Sequence, residues 1–364
     1  MDPVYLDHNA TTPMRPSAID ALAAASRLTG NASSIHAWGR RARAAVEDAR
    51  DAVAALVGVK ADWVVFTGGG TEANNLAVRG IDGTVAASAI EHPSVLKARD
   101  NIREIPVDSD GVVRLDLIGD AKLFSIMLAN NETGVIQPVA RAAEIAKSRG
   151  AILHCDSIQA AGKVKVDLPS LGADLASLSA HKIGGPQGVG ALIVRPSLRL
   201  DAVQRGGGQE RGARAGTENV AGIAAFGAAA HEAARELSKM QAMSTLRDKM
   251  EAAIRTVATD AIVFGATVER LPNTSCIAMS GVSAESQLMA FDLAGIMVSS
   301  GSACSSGKVA KSHVLAAMGV ADDAAETAIR VSLGWTTLES DIDRFVAAWT
   351  QLYRRTHADV RKVA

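Results

Sequence analysis

Several short stretches of this chain carry side chains able to do chemistry. Cys304 lies in Ser299-Ser-Gly-Ser-Ala-Cys-Ser-Ser-Gly307. Glycine and serine on both sides supply backbone freedom and hydroxyls instead of bulk. The thiol therefore reads as one carried on a mobile arm, although a flexible linker that happens to hold a cysteine has the same composition. Phe66-Thr-Gly-Gly-Gly-Thr-Glu-Ala-Asn-Asn75 falls between an expected strand and an expected helix. Its glycines, Gly70 among them, bring backbone N–H groups close to a ligand, Thr71 adds a hydroxyl, and a helix N-terminus suits a phosphate. A tight strand–helix turn is the plainer alternative. The stretch matches neither a P-loop nor a dinucleotide fingerprint, which disfavours nucleoside triphosphates and dinucleotides.

Asp156 closes the apolar run before His154-Cys-Asp-Ser-Ile-Gln159, where it could pair with a protonated ring nitrogen or merely cap a following turn. Lys182, in Ser179-Ala-His-Lys-Ile-Gly-Gly-Pro-Gln-Gly188, follows another strand. A lysine near the interior has its pKa lowered and its amine made nucleophilic, as Schiff-base formation with an aldehyde requires. His92, in Glu91-His-Pro-Ser94, could stack on a planar ring and move protons, or simply cap a helix. Arg330 is a charge within the apolar run Ala328-Ile-Arg-Val-Ser332, and its planar guanidinium suits a carboxylate. The glycine-rich stretch from Gly206 to Asn219, with Arg211 and Arg214, reads as an extended basic loop reaching across a subunit boundary, or as a solvated loop. A phosphate cradle, an acid and a lysine at the strand ends of one sheet together suit pyridoxal phosphate.

Those groups need a sheet to hold them. Apolar runs at Trp63–Thr67, Thr84–Ser88, Phe124–Ala129, Ala151–Cys155, Asp174–Leu178 and Val189–Val194 alternate with amphipathic stretches, among them Thr71–Val78, Ala140–Ser148 and one alanine-rich span from Asn219 to about Ala258. Such alternation predicts an α/β fold with a mostly parallel sheet covered by helices on both faces. After about residue 260 the rhythm changes to strands at Ser275–Ser280, Ile296–Ser299 and Ala328–Leu333, a smaller α/β unit. The expected division is a large domain over 13–240 and a small domain from 1–12 with 241–364. With 364 residues the chain exceeds the ~250–300 at which single cores stop growing. A formal net charge of −1 gives no reason to expect nucleic acid or an anionic membrane as partner. No apolar run approaches the ~20 residues of a membrane span, and no signal peptide is evident. Cys155, Cys276 and Cys304 lie far apart with no CxxC pairing, so no disulfide framework or metal site is expected, and a reducing compartment is.

Taken in order and spacing, these stretches resemble the cysteine desulfurases of the NifS/IscS type, which are fold-type I pyridoxal-phosphate enzymes. The likeness runs almost end to end. It includes Tyr5-Leu-Asp-His-Asn-Ala-Thr-Thr12, Ser33-Ser-Ile-His36 with Gly39-Arg40, Asn130-Asn-Glu-Thr-Gly134 and Arg330-Val-Ser-Leu-Gly334, besides the segments above. It implies a seven-stranded, mostly parallel sheet with a smaller α/β domain. It further implies that Lys182 holds the cofactor, Asp156 pairs with the pyridine nitrogen, Gln159 and Asn131 contact the ring-oxygen side, and His92 stacks on the ring. Gly70, Thr71, Ser179 and His181 would bind phosphate, with Thr217 contributed by the neighbouring subunit of a homodimer. Arg330, helped by Asn31, would hold the substrate carboxylate. The implied reaction converts L-cysteine to L-alanine and leaves a persulfide on Cys304, for transfer in the cytoplasm to an acceptor or iron–sulfur scaffold protein. A selenocysteine lyase or a class V aminotransferase on the same scaffold is the alternative. The chain departs from the usual pattern at Asn31-Ala-Ser-Ser, at Gln187 where lysine is common, and at Lys308-Val-Ala-Lys311, whose two lysines would favour the Cys304 thiolate.

Overall fold

The computed structural model describes residues 3–301 and 311–358. Short buried runs form a seven-stranded sheet in the spatial order Val64–Thr67, Gly190–Val194, Leu175–Ser179, Ile152–Asp156, Leu123–Ser125, Val85–Ser88 and Arg103–Ile105. Every pairing is parallel except the two made by Gly190–Val194. The reversal has a simple cause: the turn after Lys182 is too short for the crossover that a parallel neighbour needs.

Side chains along each strand alternate between two apolar layers. Phe66, Ala86, Phe124 and Leu153 face one core, with Val46, Ala49, Val53 and Phe226 of the helices Ala37–Leu56 and Val220–Arg235. Val65, Ala87, Leu175 and Leu192 face the other, with Ala73, Leu76 and Ala77 of the helix Gly70–Arg79. The two long helices touch closely at Gly227, where a Cβ would fall 2.5 Å from the Ala49 backbone.

A four-stranded antiparallel sheet, ordered Ser299–Ser300, Ala328–Ser332, Thr274–Ala278 and Ile262–Val263, has its own core. Phe291, Phe345 and Trp349 fill it from the helices Ala284–Leu293 and Glu339–Ala358. The N-terminal segment joins the two sheets. Val4–Tyr5 pairs with Ile296–Met297, Asp7 bridges to Ser332, and the Thr12 N–H donates to the His181 carbonyl. Among the described residues no helix is long and apolar enough to cross a membrane.

Three expectations about elements need correction. The run Phe124–Ala129 is strand only to Ser125: the Met127 N–H turns to the Glu91 carboxylate in place of a neighbouring strand, while the Ile126 and Leu128 N–H groups still donate to the His154 and Asp156 carbonyls. The span from Asn219 to Ala258 is two helices, Val220–Arg235 and Leu237–Val257, broken at Glu236, whose carboxylate binds Arg15 and Lys239. The segment 206–219 is not a free extended loop. Glu210 and Arg211 take left-handed backbone angles, and Glu210 is buried against Arg50 in a two-bond pair of 2.7 and 2.9 Å. Arg211 and Arg214 are likewise engaged within the chain, on the Asp62 and Val64 carbonyls and on Glu72.

Candidate active site

The carboxyl ends of the parallel strands open into a cavity of about 700 Å³, where ligands of open α/β sheets bind. Thr67 leads to Gly70 and Thr71, Ser88 to His92, Ser125 to Asn131, Asp156 to Gln159, and Ser179 to His181 and Lys182; all these site residues line the cavity. Arg330 enters from the second sheet, and Lys311 and His313 line the rim.

Lys182 donates to the carbonyls of Asn9 (2.5 Å) and Ala10 (2.7 Å) on the N-terminal segment. Burial, then the charge of Arg330, lowers its pKa to about 8, against the pull of Asp7 and Asp156. Asp156 is buried, accepting from Asn74 Nδ2 at 2.7 Å and the Ile158 N–H at 3.0 Å. Desolvation nevertheless raises its pKa, the state of a carboxylate still short of a cation. The Asn74 amide also donates to Ser94 Oγ (2.9 Å), which lies 2.8 Å from His92 Nδ1. His92 accepts from the Ser94 N–H and so caps the short helix Pro93–Leu96 while its ring lines the cavity. Burial lowers its pKa, and that of His181 to about 4, so both rings are neutral near pH 7.

At the other end of the cavity, a Cβ on Gly70 would come within 2.4 Å of Ile158 Cδ1 and 3.3 Å of Ser179 Cβ. A larger residue there would have to push the Ile158 side chain aside, at the first turn of a helix whose leading N–H groups have no intrahelical acceptor. Thr71, Ser179 and His181 stand beside it on the cavity wall. An anion cradle, an acid lacking its cation and an amine of lowered pKa thus face one space. That donor set fits pyridoxal phosphate.

Arg330 is 5% exposed; it donates to Asp7 Oδ1 at 2.8 Å and the Asn131 carbonyl at 3.2 Å, and its buried Nε has no partner among the described residues. A cavity-facing guanidinium with a donor to spare suits a carboxylate. Asn31 and Thr217 are exposed and do not line this cavity within their own chain; the Asn31 side chain accepts from the Ser33 N–H. Cys304 and Lys308 lie outside the described residues. Lys311 is ion-paired with Asp322 (2.6 Å) and Glu326 (3.3 Å) at the exposed surface.

Several residues given no role above prove central. Asn9, Asn74 and Ser94 sit inside the quoted stretches, but their partners are tens to hundreds of residues away. Glu132 accepts from Ser312 Oγ at 2.5 Å and lies so close to Gly301 that a Cβ there would meet its carboxylate. Glu91 is wholly buried; Oε1 accepts from the Met127 N–H at 2.5 Å and Oε2 has no partner among the described residues. Desolvation, with Asp156 nearby, raises its pKa well above the usual range, which favours the neutral acid. Glu91→Gln keeps the acceptor and is expected to change stability by under ~1 kcal/mol, whereas Glu91→Ala strands the Met127 N–H at a cost of about 1–3 kcal/mol. Urea unfolding of the cofactor-free protein measures both; equal losses in the two variants would contradict a neutral Glu91.

The comparisons with known proteins agree with this geometry. A cysteine desulfurase of Sinorhizobium fredii is 43% identical over 94% of this chain and 95% of its own. The cysteine desulfurase IscS of Dictyoglomus turgidum is 40% identical over 93% and 92%. The X-ray structure of a NifS-like protein from Rickettsia africae superposes with a TM-score of 0.89 at 35% identity, over 96% of this chain and 99% of that one. The family model described as aminotransferase class-V matches residues 4–345, and with the sheet, the strand-end cavity and relatives of this similarity the chain belongs to the class-V aminotransferase family.

Proposed function

We propose that this protein is a cysteine desulfurase that uses pyridoxal phosphate to take the sulfur of L-cysteine. The observation that carries the reading is the meeting of Lys182, Asp156, the Gly70–Thr71 turn and Arg330 around one cavity, in a chain about 40% identical to cysteine desulfurases. Gly70, Thr71, Ser179 and His181 would hold the phosphate, with Thr217 of a second copy completing it. Asp156 would pair with the ring nitrogen, His92 would lie on the ring face, Gln159 and Asn131 would contact the ring-oxygen side, and Lys182 would hold the aldehyde carbon. When bound, the cofactor supplies an electron sink for the bonds around the substrate α-carbon.

The chain's own groups do the rest. Arg330 would orient the cysteine carboxylate, with Asn31 as a second contact. Lys182 would take the α-proton and return it, a task suited to an amine with a pKa of about 8. The Cys304 thiolate would attack the substrate sulfur. The balance is L-cysteine plus the Cys304 thiol giving L-alanine plus a Cys304 persulfide; one S–S bond forms and one C–S bond breaks. The persulfide sulfur would pass to an acceptor protein serving iron–sulfur assembly or thiolation, from a cytoplasmic homodimer. The division into 13–240 and 1–12 with 241–364 belongs to the same reading. The test is alanine release from L-cysteine with stoichiometric persulfide on the protein. Alanine formed without any protein persulfide would remove it.

A pH prediction accompanies this. Trapping of Lys182 in the cofactor-free protein by an aldehyde and borohydride is expected to rise with a midpoint near pH 8, not near the ordinary 10.5. Arg330→Gln removes a nearby positive charge and leaves Asp7 unopposed, so the midpoint should move up. Because the folded amine releases its proton more readily than the unfolded one, stability is expected to rise with pH across this window.

A further inference from the structure

Lys163 is buried (4% exposed), four residues beyond Gln159, and has no carboxylate within ion-pair distance among the described residues. Its amine makes two short contacts, to Gln159 Oε1 at 2.6 Å and Asn9 Oδ1 at 2.7 Å. Both partners line the cavity, whereas Lys163 does not. Lys163 and Lys182 meet instead at a small cleft of about 20 Å³ behind the site, beside His8 and Thr12. Gln159 and Asn9 also converge on Lys182, since the Asn9 carbonyl accepts from Lys182 Nζ and from Gln159 Nε2 at 3.0 Å.

We propose that Lys163 is a positioning residue that fixes which way the Gln159 side-chain amide faces, so that Gln159 turns its N–H₂ group, and not its carbonyl, toward the Asn9 carbonyl that also receives Lys182. Two amide oxygens consume two amine N–H donors, and neither contact survives an amide flip. A flipped Gln159 would set its carbonyl against the Asn9 carbonyl and its N–H₂ against the Lys163 donors. Asn9 is held besides by Thr274, Asn273 and the Asn131 carbonyl, so the orientation that depends most on Lys163 is that of Gln159. Burial and the charges of Lys182 and Arg330 lower the Lys163 pKa well below the lysine value, and a neutral amine still carries both donors. The inference rests on the functional reading above only in assigning the ring-oxygen side of pyridoxal phosphate to Gln159.

The test compares the full-length protein with Lys163→Met, Gln159→Ala, the double variant and Gln159→Glu. In the cofactor-free protein, side-chain amide hydrogen exchange of Gln159 by NMR is expected to be slow, and at least about tenfold faster in Lys163→Met; unchanged exchange overturns the proposal. Lys163→Met is expected to weaken pyridoxal phosphate binding about tenfold, and to cost under about twofold when Gln159 is already alanine. A full further tenfold loss in that background would show that Lys163 acts by another route. Should Lys163→Met not fold, Gln159→Glu decides: it keeps an acceptor for Lys163 but puts an oxygen where the N–H₂ stood. Binding about tenfold weaker at an unchanged melting temperature supports the proposal, and wild-type binding overturns it. A wild-type protein that takes up no pyridoxal phosphate would instead remove the functional reading, with the exchange measurement still judging the amide lock.

Discussion

Lys182→Ala is expected to abolish alanine release from L-cysteine, by more than about 10³-fold, because in the proposed function one amine would serve as both cofactor anchor and proton carrier. Two amines with lowered pKa lie in this region, Lys163 buried and Lys182 half-buried, and geometry separates them: Lys182 lines the large cavity, Lys163 does not. Lys182→Arg is the sharper variant. It retains donors for the Asn9 and Ala10 carbonyls, and hence the local structure, but its guanidinium stays protonated and is no nucleophile. Turnover should vanish in both variants, while the arginine form melts like the parent. Borohydride fixation of the cofactor should map to residue 182 in the parent and to no residue in either variant. Turnover above a tenth of the parent's in Lys182→Arg, or fixation at Lys163, would end the assignment.

The second large effect concerns the sulfur. Two of the three cysteines are described, and neither offers a thiolate. Cys155 is fully buried beside Ser157, its thiol pushed up to about 12 by desolvation. Cys276, paired in register with Arg330, is also fully buried and its pKa is raised. A nucleophilic thiol is a deprotonated one, which leaves Cys304 as the proposed nucleophile. Cys304→Ser is expected to lower turnover by more than about 10³-fold, the scale of losing a nucleophile, while pyridoxal phosphate binding and its visible band persist. Cys155→Ala and Cys276→Ala should keep turnover. Full activity in Cys304→Ser would point to an aminotransferase on the same scaffold.

Much of this site could be read from the chain alone because its groups fall at recognisable local junctions. The glycine turn before Thr71, the acid closing the run at Asp156 and the lysine before Gly184 each sit where a strand yields to a turn. What stayed hidden depends on partners remote in sequence. Nothing near Asn9 tells that its carbonyl receives Lys182, 173 positions away. The early end of the Leu123–Ser125 strand follows from Glu91, and the break at Glu236 from Arg15 far upstream, with neither proline nor glycine to mark it. Glu91 and Glu132 look like ordinary surface acids by type; their burial shows only once the strands are assembled.

The tie between the N-terminal segment and the second sheet bears on the order in which the enzyme is made. Strand partners for Tyr5 and Asp7 are Met297 and Ser332, so the pairings that tie this stretch to the second sheet cannot form until nearly the whole chain has left the ribosome. The Asn9 and Ala10 carbonyls that receive the reactive amine arrive with it. A nascent chain, or one clipped before residue 332, therefore holds the sheet ends yet lacks their capstone. Assembly of the pocket thereby becomes a late checkpoint of synthesis.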